Sequence, residues 1–426
     1  MDRRVLFASL ILLAGGATGV GVALFAFVGV DGGAVDAEIV WETEPVPGDD
    51  GSGAVVAETA GDSVVVQSTT AGGERVVRAT AVGGDVAWRT PVSAIAAGDL
   101  AGEGGGAGAD DGGSETADGD PAGISGLVSA TVGGDPVVAF TTDAGELVAL
   151  DARDGSARFA VDLRGPSGLR PSVGDLDGDG DAEVAAAATD GTVLAVDAAG
   201  DPVFETDLGV TVDRRPLIAD FEANGGTGTG DPRGVAVATV GESETTVRLL
   251  DADGDARWTE TPAVTPLTWT AVDTPDGPAL ALGGTNGNLQ TIDLADGSGR
   301  FEVGLQDLPV TVGDASPGRI YVGGAGSVWA VDLRDGEVAW KQQYGGETRV
   351  NAPRVAAVTE TDERGPVAVN RAGDVLALNA NGEAVAQGDA GDAVVYAGPL
   401  FADATGDGSD EVLVVTADGR VLALDD

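Results

Sequence analysis

The chain has 426 residues, no cysteine and no histidine, and carries 70 acidic against 23 basic side chains, a formal net charge of −47. Without thiol or imidazole, serine triads, cysteine–histidine dyads, the usual zinc sites and imidazole acid–base catalysis are excluded. So strong an acidic excess also argues against nucleic acid, whose phosphates need a basic face. Self-repulsion at this charge strains a compact fold at low salt, and it becomes tolerable near molar salt, where the Debye length falls to ~3 Å.

The first four residues, MDRR, precede an uncharged run from Val5 to Val30, rich in Leu, Val, Phe, Ala and Gly. At about 1.5 Å per residue this run spans a ~30 Å hydrocarbon core. The alternative, a cleaved secretory signal, usually carries an apolar run of only about 7 to 15 residues. We therefore expect a cytoplasmic N-terminus (1–4), a single-pass membrane anchor (5–30), a linker (31–36) and a folded domain from 37 to 426. Arg3 and Arg4 lie before the span and Asp31, Asp36 and Glu38 after it, so the positive-inside rule places the domain outside the cell.

Beyond the linker the chain repeats one sentence. It is clearest at Val328 to Lys341, VWAVDLRDGEVAWK, where two alternating apolar runs flank an Arg-Asp-Gly turn, the pattern of a hairpin. Copies run from Arg75 to Thr90, Glu146 to Val161, Thr192 to Thr206, Val247 to Glu260, Leu289 to Val303 and Asp374 to Gln387, and a truncated one ends at Asp426. Matching positions Asp151, Asp197, Asp251, Asp293, Asp332, Asn379 and Asp425 recur at about 40 to 54 residues, the length of a four-stranded propeller blade. The last copy stops after a third strand, and an orphan strand, AEIVWETE at Ala37 to Glu44, has the pattern of a fourth. The prediction is an all-β, eight-bladed propeller of four-stranded blades, closed by its N-terminal strand.

Two segments interrupt the repeat. Ala101 to Gly123, rich in Gly and Asp, follows an expected first strand at Ser93 to Leu100 and reads as a disordered acidic insert. Asn224 to Gly234 is expected at the equivalent place in the fourth blade. In the third blade the loop Asp175-Leu-Asp177-Gly-Asp179-Gly-Asp181-Ala-Glu183 sets acids at positions 1, 3, 5, 7 and 9. Asp175, Asp177, Asp179 and Glu183, with the Asp181 carbonyl, form a candidate calcium set, since calcium takes six to eight oxygens. Asp403, Thr405, Asp407 and Glu411 form a weaker copy. Fragments at Asp99, Asp220, Glu222 and Asn224 give no confident ligand set. An Asp/Gly hairpin turn is the bland reading of each.

Trp41, Trp88, Trp258 and Trp340, with Phe159, Phe204 and Phe301, occupy one position per blade and are expected to pack between sheets. Trp269 and Trp329 lie outside that column, and Trp269 is the candidate platform for a ligand.

The unit xLxALDxxxGxxxW resembles the repeat of quinoprotein-type (PQQ-like) β-propellers, and the Asp-rich loops resemble those of FG-GAP repeats, in which a strand follows a short calcium loop. The acidic composition, with Lys341 the one lysine, resembles proteins of extreme halophiles of haloarchaeal type. The quinoprotein resemblance implies a quinone cofactor, calcium, a carboxylate base and a stacking Trp. The chain lacks the adjacent Cys pair and the long active-site insertions, so the quinone is not expected and no catalytic residue is nominated. The expected function is a non-enzymatic scaffold at the cell envelope that binds an envelope or secreted protein or a glycan, with calcium in a structural role. The alternatives are a quinone-dependent dehydrogenase and a purely structural envelope component.

Overall fold

The computed structural model describes residues 35–425 apart from 46–51, 60–62, 72, 82–83, 96–122, 220–232, 241–243, 345, 347, 358–363, 392 and 406–408. The expected anchor at 5–30 and most of the insert at 101–123 lie outside these residues. No described helix is long and apolar enough to cross a membrane.

The described residues form a β-propeller of antiparallel four-stranded units. Six sheets have four strands each, covering 52–91, 128–162, 172–207, 217–260, 266–304 and 311–343, and we number these units one to six in chain order. A seventh unit, 354–389, and an eighth, 395–425 with the strand Val35–Glu42, share one eight-stranded sheet. The first strands stand side by side around an axis. Each contacts the first strand of the next unit, and Val395–Ala402 of the eighth contacts Ser52–Glu58 of the first.

The closure expected from the truncated last repeat is present. Val35–Glu42 pairs antiparallel with Val421–Asp425, setting Ile39 opposite Leu424 and Trp41 opposite Ala423. A strand from one end of the chain thus completes the sheet made by the other, which removes an open edge.

The turn between third and fourth strands explains the repeated Asp followed by a glycine three or four residues on. The Asp carboxylate accepts a backbone N–H two residues on, as Asp151 does from Arg153 at 2.9 Å and Asp332 from Arg334 at 2.9 Å, an Asx turn. The glycine that follows adopts positive φ, +71° at Gly155 and +77° at Gly336. There is a second reason for glycine. A Cβ on Gly155 would lie 2.4 Å from the Trp88 ring, and one on Gly336 would lie 2.5 Å from Phe301. The aromatic of one unit therefore covers the turn of the next.

This contact recurs around the ring, with Trp41 on Gly84, Phe159 on Gly200, Phe204 on Gly254, Trp258 on Gly297 and Trp340 on Gly382. The indole N–H of Trp88, Trp258 and Trp340 also donates to a carbonyl in the covered turn, those of Ala152, Leu294 and Ala380, at 2.8 to 3.0 Å. The aromatic column expected from the repeat is an inter-unit lock, and the apolar clusters likewise span neighbouring sheets, as Phe159, Val184 and Leu194 do.

Two expectations need correction. Val92–Ala94 is a short 3-10 turn, and the first strand of the second unit is Val128–Val132. The long insert therefore precedes that first strand, whereas the shorter one falls between Leu217–Ala219 and Gly234–Val240. The run from Ser93 had an alternating start, but Ile95 is drawn into the core between the first two units instead. Trp269, expected near the ring's centre, lies on a first strand but is only 3% exposed, and its N–H donates to the Arg215 carbonyl at 3.2 Å. It is core, not an open platform.

Candidate metal centre

The loop of the third unit links the first strand Ser172–Gly174 to the second, Glu183–Ala187, whose ends pair through Gly174 and Glu183. Its turns are made by its own carboxylates. Asp175 accepts the N–H groups of Gly178 at 2.6 Å and Gly180 at 3.2 Å, Asp177 accepts that of Asp179 at 3.0 Å, and Asp179 accepts that of Asp181 at 2.8 Å. Gly178 and Gly180 take φ of +89° and +95°, which non-glycine residues rarely adopt, so the chain can fold back on the strand.

This folding brings together carboxylate oxygens of Asp175, Asp177 and Glu183, all within 4.8 Å of one another, the one such group of three among the described residues. Asp179 and Asp181 are not part of it. Asp179 accepts the Asp181 N–H, and Asp181 is exposed.

Glu183 is the unusual member. It is 4% exposed and accepts the Leu176 N–H at 2.7 Å. Burial pushes its carboxyl up to about 7; the Leu176 hydrogen bond opposes this, and the nearby Asp177, Asp179 and Asp175 charges add to it. Three converging acids, one reluctant to ionise, fit a hard divalent cation whose remaining oxygens come from backbone or water.

One residue of the centre was not anticipated. Arg233, at the start of the second strand in the fourth unit, places Nη1 2.5 Å from Asp175 Oδ2. A guanidinium thus already supplies positive charge to one of the three carboxylates. Its signal in the sequence is faint, a lone Arg near the end of the fourth-unit insert.

The loop of the eighth unit is built differently. Glu411 is 1% exposed, and its carboxylate accepts the Ala404 N–H, the Thr405 N–H at 3.2 Å and the Thr405 hydroxyl at 3.0 Å. Thr405 and Glu411 are thereby satisfied by each other. Asp403 flanks them, and Asp407 lies outside the described residues, as do Asp99, Asp220, Glu222 and Asn224.

Residues 243–426 match a family model described as outer membrane protein assembly factor BamB, of the PQQ-like repeat group. Among curated proteins no sequence match is found. Of solved structures, BamB from Moraxella catarrhalis is 18% identical, with a TM-score of 0.54 over 92% of this chain and 98% of that one. Sqt1 from Saccharomyces cerevisiae is 11% identical, with a TM-score of 0.60 over 92% and 98%. BBS1N, solved in complex with ARL6DN, is 15% identical, with a TM-score of 0.50 over 70% and 90%. At these identities the likeness is one of fold, a PQQ-like β-propeller, and it does not carry function with it.

Proposed function

We propose that this chain is an eight-bladed propeller held outside the cell membrane by residues 5–30, and that it works as a non-enzymatic scaffold binding an envelope or secreted protein or a glycan. The observation that carries the binding reading is an apolar face. Links from a fourth strand to the next first strand all emerge at one end of an antiparallel ring. Three of them present exposed apolar side chains there, Val210, Leu308 and Val394, joined by Tyr396 at the start of its strand, with 39 to 54% of each accessible. Scattered apolar residues are ordinary on a surface; we read the recurrence of these four at one end of the ring as a docking face. The acidic remainder is the surface of a protein adapted to salt of extreme-halophile strength, which keeps unspecific association low.

Crosslinking pull-down of the full-length protein from native membranes, kept above molar salt, tests this reading. A small reproducible set of captured envelope proteins is expected, with recovery falling at least tenfold in a Leu308→Asp, Tyr396→Asp double variant that still folds. Equal recovery from the variant sinks the assignment of the face.

The third-unit loop binds calcium in a structural role, joining first and second strands at the other end of the ring. Calcium titration by calorimetry is expected to show one site that weakens at least tenfold in Asp177→Asn. Arg233→Gln frees Asp175 and tightens the site several-fold. No heat from wild type above millimolar calcium ends the metal assignment.

A further inference from the structure

In five of the units one backbone bond ties the turn between second and third strands to the link that leads into that unit. The N–H of Asp143 donates to Gly123 at 2.9 Å, that of Thr189 to Pro166 at 2.9 Å, and that of Thr285 to Thr265 at 3.3 Å. Arg371 donates to Arg349 at 3.1 Å, and Ala417 to Val394 at 2.7 Å. Of these equivalent rungs, only that of the seventh unit carries two arginines.

The two side chains share a face. Val350 and Asn370 pair as antiparallel neighbours and are buried, so the next pair on that ladder, Arg349 and Arg371, turns the other way, to solvent. Residues directly opposite in such a pair hold their Cβ atoms about 5 Å apart, and like charges there are destabilising. The following link extends the surface. The Val395 N–H donates to the Arg371 carbonyl at 3.1 Å, and the Arg371 guanidinium carbon lies 5.7 Å from the centre of the Tyr396 ring, within cation–π reach. Val394 is 51% exposed and Tyr396 46%. Two cations, an aliphatic side chain and a phenol ring thus stand side by side.

Apart from that ring, neither guanidinium has an ion-pair or hydrogen-bond partner among the described residues. The acids of the same unit are taken, Asp374 by the Asn370 amide at 2.7 Å and Asp389 by the Gly391 N–H at 2.8 Å. Glu347 and Asp392 lie outside the described residues. Partial burial, and after it the Arg371 charge, lowers Arg349 from the ordinary arginine value. In a chain with three acids for every base, a pair of like cations set opposite each other and left without carboxylates invites a negative partner.

We propose that this end of the seventh and eighth units binds an acidic polypeptide segment, with its carboxylates on Arg349 and Arg371 and an apolar side chain against Val394 and Tyr396. The inference rests on the docking-face reading above and names the chemistry of the partner. Charge complementarity selects the occupant, since the remaining acidic surface repels an anionic chain. A guanidinium fork takes a carboxylate through two parallel N–H donors, a contact short enough to survive molar salt. Arg and Tyr are also the side chains that most often anchor an interface. The exposed valine beside the ring asks for an aliphatic side chain, which an acidic peptide carries and a polyuronate does not.

The test is selection of a random-peptide phage library against the purified full chain, kept above molar salt. Enriched peptides are expected to carry acidic residues flanking an apolar one. A synthetic copy should bind about tenfold more weakly to Arg371→Gln and to Arg349→Gln, as loss of a charge-assisted hydrogen bond does. It should bind Arg334→Gln, an exposed arginine in a turn between third and fourth strands, as it binds wild type. Both glutamine variants replace exposed side chains and are expected to melt with wild type. No enrichment, enrichment of basic or purely apolar peptides, or equal affinity for wild type and both glutamine variants overturns the proposal. So does polygalacturonate binding that needs the arginines while no peptide is enriched, which assigns the face to a glycan. The selection uses purified protein alone, so its failure with envelope proteins still captured from membranes condemns the acidic-peptide assignment and not the scaffold reading.

Discussion

Seven of the joints between neighbouring units are closed by an aromatic ring seated on a turn glycine, and the joint between the seventh and eighth is not. There the position of the aromatic is taken by Ala386, opposite Ala377, as Trp340 stands opposite Ala330 in the sixth unit. The hairpin it would cover is also missing, because the paired strands Val421–Asp425 and Val35–Glu42 come from distant parts of the chain. The seam is closed by backbone instead. Val35, Asp36 and Ala37 run parallel to Ala386, Gln387 and Gly388, and Gln387 Nε2 donates to Asp36 at 2.8 Å. A small opening lined by Ala37, Val375, Ala377, Ala386 and Leu424 marks where an aromatic would have packed. A locked joint rests on rings packed against a turn, and the seam rests on strand pairing, so their failures should differ in size and in kind.

Deleting residues 35–42 removes a whole strand and reopens two sheet edges. The expected loss exceeds about 5 kcal/mol, beyond the range of ordinary point changes, and calorimetric unfolding should lose its single transition. A melt that stays cooperative within a few degrees of wild type would show that the seam does not close the ring.

At a locked joint, Trp88→Ala should cost about 3–5 kcal/mol, as large aromatic truncations in cores do, read from denaturant midpoints at constant slope. The complementary change Gly336→Ala is expected to cost about 1–2 kcal/mol for its left-handed backbone alone, plus displacement of the Phe301 ring. If either costs less than Ala386→Gly at the seam, the contrast between the joints is wrong. Native-state hydrogen exchange sharpens it, with the amides of Asp36 and Ala37 expected to exchange at least tenfold faster than those of Trp340 and Gln342, since marginal elements open first.

The smallest effect lies in the ion pairs beside the closing strand. Arg420 bonds Asp418 at 2.9 Å and reaches Glu42 at 3.4 Å. Burial acts to raise the Asp418 carboxyl, but the Thr416 hydroxyl and Arg420 outweigh it and hold it below the usual range. A depressed acid stabilises the fold above its unfolded pKa and loses that contribution as pH falls through its folded one. Asp418→Asn should therefore reduce stability slightly at neutral pH and not at all in strong acid, by less than about 1 kcal/mol for so exposed a pair.

Much of the fold was legible in the residues. The alternation, the Asp-to-Gly turns, the repeat spacing and the orphan strand all follow local rules, and they imply four-stranded units and an N-terminal closing strand. The aromatic column was legible as packing, although nothing in the sequence said that each ring sits on the next unit's glycine. In the candidate site, the ligand spacing names Asp175, Asp177 and Glu183, whose carboxylates the fold groups, together with Asp179 and the Asp181 carbonyl, which lie outside that group of three. The first strand expected from Ser93 fails because an insert interrupts the period there, and Trp269 is covered by neighbours, Arg215 among them, that only the fold supplies.

Period, turn chemistry and the residues missing from the composition belong to the sequence, because each depends on neighbours a few positions apart. The Arg233 guanidinium on Asp175 and the backbone-closed seam depend on residues 58 and 351 positions apart. Only packing of one unit on another and closure of the ring bring such groups together, and so the tertiary structure alone decided the partner of Asp175 and the way the seam is sealed.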